Sequence, residues 1–163
     1  MSRLVPVLVA VLLAVSGVSV LAQSRPMVDV AAGIAGGKGR AAGVAAQVAF
    51  EFQPSERLPV SVRADLSFHQ WRDGLFNSHN TARGTAGTLD LVYRLPTTHV
   101  RPYVLTGIGG YAVQGLGFNP GWNVGGGLEV PLGRYSVFGE VRGHFLRTDF
   151  RDRLTPIILG IRF

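Results

Sequence analysis

Glu140, Arg142 and His144 stand two apart in the chain, and Asp65 and His69 stand four apart. On one face of a strand such a set holds the parts of acid and base chemistry: a carboxylate or imidazole moves a proton, and a guanidinium steadies the charge. The same residues on a buried face form a structural network of ion pairs and hydrogen bonds, and that reading is preferred. Gly107-Ile108-Gly109-Gly110-Tyr111-Ala112 matches a relaxed dinucleotide fingerprint, but no helical pattern follows it and turn chemistry continues into Asn119-Pro120-Gly121. The four histidines do not cluster at metal-ligand spacing. The chain has no cysteine, which excludes disulfides, thiol nucleophiles and zinc sites of cysteine type. No catalytic residue, cofactor-binding residue or metal ligand is therefore expected.

The elements that position these side chains follow from periodicity. Residues 1–22 come first and are an address: Arg3, the apolar run Leu4 to Val15, then Val20 and Ala22 three and one positions before Gln23. That is a secretory signal peptide with cleavage after Ala22, which leaves residues 23–163 as one domain. From Gln23 on, the apolar residues recur every two positions in short runs broken by turn residues, the signature of strands. Eight such runs are expected: Met27 to Gly36, Arg40 to Phe52, Val60 to His69, about Gly84 to Leu95, Val100 to Val113, Trp122 to Val130, Tyr135 to Phe145 and Thr155 to Phe163. Most are long enough for a tilted strand to cross a bilayer, which takes about 9 to 11 residues. Gln114 to Gly121 and Arg72 to Ala82 are expected as connections at one end, and Gln53 to Pro59, Pro96 to His99 and Pro131 to Arg134 at the other.

Within each run the two faces differ. One collects Asp29, Glu51, Arg63, Asp65, His69, Asp90, Arg94, Glu129, Glu140, Arg142, His144 and Arg162, while the other is almost free of charge. A soluble carrier barrel would turn the polar face to water and enclose an apolar cavity. The near balance of acids and bases favours the reverse, an ion-paired lumen inside an apolar wall. An arginine or lysine on the lipid side would cost roughly 2–4 kcal/mol near the midplane. Aromatic residues near strand ends, Phe50, Phe52, Tyr93, Tyr135 and Phe163 at one end and Trp71, Trp122 and Phe145 at the other, are expected to form interfacial girdles. Lysine and arginine exceed aspartate and glutamate by 16 to 10, but the basic residues are scattered singly, so nucleic acid is not an expected partner.

Arg101-Pro102-Tyr103-Val104 with its glycine-rich continuation, Asn123-Val124-Gly125-Gly126-Gly127-Leu128-Glu129, Gly139-Glu140-Val141-Arg142 and Leu159-Gly160-Ile161-Arg162-Phe163 carry a resemblance. The mature chain resembles the small eight-stranded bacterial outer-membrane β-barrels of the OmpA and OmpX type. The resemblance implies an all-β, eight-stranded antiparallel up-and-down transmembrane barrel in the outer membrane of a Gram-negative cell. It implies a monomer inserted by the barrel-assembly machinery, with Ile157, Leu159, Ile161 and Phe163 as the carboxy-terminal insertion signal. No peptidoglycan-binding domain is expected after the barrel.

The expected role is non-enzymatic, structural or surface-interacting, with a narrow porin-like pore of low conductance as a variant. The alternatives are a lipid A deacylase or acyltransferase and a soluble periplasmic lipocalin-like carrier. Enzymes of the first kind use a serine and a histidine of the barrel wall, and no His-x-Ser arrangement occurs, since His144 is followed by Phe145-Leu146. Lys38, Arg40, Arg72, Arg83, Arg147, Arg151 and Arg153 are expected at the outer rim, where arginine's fork suits lipopolysaccharide phosphates.

Overall fold

The computed structural model describes residues 26–37, 40–54, 58–72, 81–97, 99–115, 117–147 and 153–163. The expected signal peptide therefore lies outside the described residues. Eight strands run in chain order: β1 (Met27–Gly37), β2 (Arg40–Phe52), β3 (Val60–Arg72), β4 (Thr81–Arg94), β5 (Arg101–Val113), β6 (Gly117–Leu132), β7 (Tyr135–Leu146) and β8 (Arg153–Arg162). Each pairs antiparallel with the next, and β8 returns to β1 to close the barrel. Closure leaves no strand edge among the described residues, so every ladder has a partner and no backbone row is offered to a bilayer unpaired. At the seam Asp29 lies opposite Arg162 and Ile34 opposite Ile157, and Val28 and Phe163 exchange N–H···O bonds of 3.1 and 2.9 Å.

The two-residue period of the sequence becomes two surfaces. Val30, Ile34, Val48, Leu66, Leu89, Leu91, Val104, Ile108, Leu128, Val141 and Leu159 are all exposed, Leu159 and Ile108 to 70%. Their neighbours one position away are buried in the interior, apart from the half-buried Gly33, Gly107, Gly109 and Gly127. No helix of the described residues is long and apolar enough to cross a membrane. An eight-stranded barrel is just wide enough for side chains to fill it. Two interior glycines make that filling possible. A Cβ on Gly160 would sit 2.5 Å from the Phe138 ring, and one on Gly127 would sit 2.6 Å from the Tyr103 ring.

The structure moves several expected boundaries. β6 begins at Gly117, so the connection from β5 is 114–116 and not Gln114 to Gly121. The Phe-Asn-Pro-Gly sequence reads as a turn, but Pro120 lies where β6 has run past its β7 ladder, which starts at Gly121 opposite Leu146. At such an edge the missing N–H costs no ladder bond. Pro131 and Leu132 also belong to β6, and only Gly133 and Arg134 form the turn, Gly133 at φ +74. β3 and β4 pair out to Arg72 opposite Thr81, which shortens their expected connection to 73–80.

Replacing Gly160 with valine should drive Phe138 out of its site and cost about 1–3 kcal/mol of folding stability. Ala32→Val, on the exposed face, should cost little. Urea unfolding followed by heat-modifiable gel mobility measures both.

Candidate functional site

Inward positions of all eight strands build one continuous polar lumen. At the end where β1 begins and Phe163 lies, Arg162 on β8 donates to Asp29 on β1 from Nε and Nη2 at 2.7 and 2.6 Å. The same guanidinium reaches Glu51 on β2 at 2.8 Å and Glu129 on β6 at 2.5 Å. Arg94 on β4 adds bonds to Glu51 Oε2 at 2.7 Å, Ser61 Oγ at 2.8 Å and Glu129 at 3.2 Å, and it also meets Glu51 Oε1, as does the Ser61 hydroxyl. Six strands meet at these two arginines.

The next layer crosses the lumen. Arg63 on β3 donates to Glu140 Oε2 on β7 at 2.8 Å, and the Tyr103 hydroxyl from β5 donates to the same oxygen at 2.9 Å. Arg142 binds Glu140 Oε1 at 2.6 Å and reaches Asp65 and Asp90 at 3.1 Å each. Asn123 donates to Asp90 at 2.8 Å, and Thr88 to the same carboxylate at 3.2 Å. Arg63 Nη1, 3.7 Å from Asp29, ties this layer to the first.

Asp29, Glu51, Asp65, Asp90, Glu129 and Glu140 make six carboxylates, against the four guanidiniums of Arg63, Arg94, Arg142 and Arg162. The excess acceptors are met by neutral donors: Ser61, Thr88, Tyr103 and Asn123. The sequence pattern placed His69 and His144 with the charges, but neither bonds a carboxylate among the described residues. His69 Nε2 lies 3.1 Å from Ser67 Oγ, and His144 Nδ1 lies 3.0 Å from the Tyr111 hydroxyl, with the two imidazoles edge to face at 5.7 Å. Above this neutral layer Trp71 is 2% exposed and packs with Ala35, Ala45 and Leu154. Trp71 is thus a lid inside the barrel and not part of a girdle, because β3 runs straight to Arg72 and keeps Trp71 in phase with Arg63 and His69.

Ser67-Phe68-His69 is a serine and histidine pair in the reverse of the order sought in the sequence. Its signal was two polar residues spaced by two on an inward face. The pair has the contact of a nucleophile and its base. However, no hydrogen-bond partner among the described residues orients the other ring nitrogen of His69. The neighbouring space, lined by Trp71, Ala86, Tyr111, Leu146 and Leu154, is about 10 Å³, room for one water molecule. Among the described residues no three His, Asp or Glu side chains converge as a metal site.

The remaining expected residues lie outside the lumen. Ile157, Leu159, Ile161 and Phe163 face outward in a row along β8. Arg83, Arg147 and Arg153 are exposed at the end opposite Phe163. Lys38 and Arg151 lie outside the described residues, and of Arg40 and Arg72 only the backbone is described. Phe50, Tyr93 and Tyr135 are exposed near the end that carries the exposed Phe163, and Trp122 near the other.

Arg162→Leu should cost about 3–5 kcal/mol, since it strands Asp29 in the lumen without its bidentate partner and leaves Glu51 and Glu129 to share Arg94. The exposed Arg101→Leu should change stability by no more than about 0.5 kcal/mol. Equilibrium urea unfolding in detergent micelles distinguishes them.

No family model matches the chain, and no curated protein matches it in sequence. Solved structures do match. Neisserial surface protein A is 14% identical with a TM-score of 0.66, over 84% of this chain and 94% of that one. The outer membrane enzyme PagL is 16% identical with a TM-score of 0.58, over 84% and 98%. The N-terminal β-barrel domain of Pseudomonas aeruginosa OprF is 16% identical with a TM-score of 0.54, over 86% and 100%. The chain therefore has the eight-stranded transmembrane barrel fold that these outer-membrane proteins share.

Proposed function

We propose, on the premise of that shared fold, that the chain is a non-enzymatic outer-membrane barrel with a structural or surface-interacting role. The observation that carries this reading is the inverted polarity. All described carboxylates are buried in the lumen, whereas the wall is a band of exposed Leu, Ile, Val and Phe. Water could not hold such a molecule in solution, since the apolar surface runs round the whole barrel and far exceeds the few hundred square ångströms a soluble monomer exposes. A bilayer takes the same surface at no cost and leaves the ion pairs sheltered on the axis.

The lumen argues against a free pore. Arg63 and Glu140 join opposite walls at 2.8 Å, and the Trp71 layer lies across the channel above them. An ion would have to separate these pairs to pass. The enzyme reading draws on the fold of PagL and on the Ser67–His69 contact. Against it, both side chains are buried under Trp71 with space for a water beside them and none for an acyl chain.

Folded protein should fractionate with the outer membrane and migrate faster on gels before heating than after. It should produce no conductance steps in a planar bilayer and leave the acyl chains of lipid A unchanged on incubation. Recovery from the aqueous periplasmic fraction would reject the membrane role. Loss of an acyl chain that disappears in Ser67→Ala would establish the enzyme instead.

A further inference from the structure

Outside the lumen, the described residues carry charge of one sign. No aspartate or glutamate faces outward among them, and the exposed arginines stand at the two ends of the apolar band: Arg101 and Arg134 at the Phe163 end, Arg83, Arg147 and Arg153 at the other. One of these is held by the barrel wall itself. Trp122, Phe145 and Arg153 are direct cross-strand neighbours on β6, β7 and β8. The Trp122 and Phe145 rings stack at 4.2 Å with 12° between their planes, and the Arg153 guanidinium lies 5.3 Å from the centre of the Phe145 ring. Gly143, next to them on the same face, has no side chain to separate Phe145 from Arg153, and a Cβ there would lie 3.1 Å from the Phe145 ring.

The row fixes a cation on the outward surface at the edge of the hydrocarbon band. An arginine stacked on a ring keeps its N–H edge free, and that edge is a planar fork for phosphate oxygens. Trp122, 49% exposed, adds an amphipathic ring at the same level, where sugar and acyl chain meet. Arg147 stands exposed at the end of β7, beside the row. We propose that Trp122, Phe145 and Arg153 form a site for the phosphorylated sugar headgroup of an outer-leaflet glycolipid, with Arg153 binding the phosphate. The ligand comes from the membrane, because exposed Val124, Val141 and Ile157 directly below the row offer an apolar surface suited to its acyl chains. The site confines the broader expectation of lipopolysaccharide contact around the rim to one side of the barrel, β6 to β8. It rests on the outer-membrane reading above.

The test uses the full chain refolded into phosphatidylcholine vesicles containing bisphosphorylated lipid A or its dephosphorylated form, followed by mass spectrometry of lipid retained on extraction. The wild type should retain the phosphorylated form preferentially. Arg153→Gln should weaken retention about tenfold, the loss of one charge-assisted fork. Phe145→Ala and Arg153→Lys should fall between, whereas Arg134→Gln, the same change at the opposite end, should retain wild-type binding. Equal loss in Arg134→Gln and Arg153→Gln, or equal retention of dephosphorylated lipid A, overturns the site. Heat-modifiable mobility of the same samples separates the two readings. A folded barrel with unselective retention overturns the site alone, and a chain that does not enter vesicles overturns the outer-membrane reading with it.

Discussion

Buried charge must be paired, and in this barrel the pairing decides everything else. An isolated ion in a low-dielectric interior is so costly that it either finds a partner or loses its charge. Here Arg162 binds Asp29, Glu51 and Glu129, and Arg63, Arg142 and Glu140 cross-link the middle of the lumen. Because those partners sit on β1, β2, β3, β6, β7 and β8, the network is satisfied only when the cylinder is closed. A buried ion pair is weak evidence of stability in itself, since a well-packed apolar substitute often does as well. Its contribution is to specificity: a strand slipped by one residue would put its charges in the apolar wall and its leucines on the axis.

The same constraint explains why the lumen resembles an active site without the access of one. Carboxylates, imidazoles, tyrosines and a serine lie within hydrogen-bond reach of one another, as catalytic groups do. Yet each is occupied with its neighbours, and Trp71 covers the layer that holds Ser67 and His69. The chemistry that faces the surroundings lies on the other surface, in a few aromatic rings and exposed arginines.

Much of this was legible from the chain alone, for a physical reason. A barrel buried in lipid keeps its two faces chemically opposite over its whole length, so the alternation of Val60 to His69 or Ile157 to Phe163 gives both the strand and its sidedness. Partner choice was not legible: Arg63 and Glu140 lie 77 residues apart, and nothing local joins them. Nor was the extent of β6, since Gly117 to Gly121 carries turn residues that a ladder on one side overrides. Trp71 was misplaced because an aromatic residue near a strand end suggests an interface, whereas its parity with His69 put it inside. The pairing of His144 with Tyr111 in place of an acid depended on which side chains share a level in the closed cylinder, which spacing along one strand does not contain.

The chain has two tryptophans, and they stand on opposite surfaces, Trp122 outward and Trp71 on the axis. Fluorescence quenching by nitroxide-labelled lipids, in Trp71→Phe and Trp122→Phe variants refolded into vesicles, therefore reads the sidedness of the wall most directly. Strong quenching of Trp122 with Trp71 left nearly untouched is the result required by an apolar wall around an ionic lumen. Equal quenching of the two, or stronger quenching of Trp71, would contradict it.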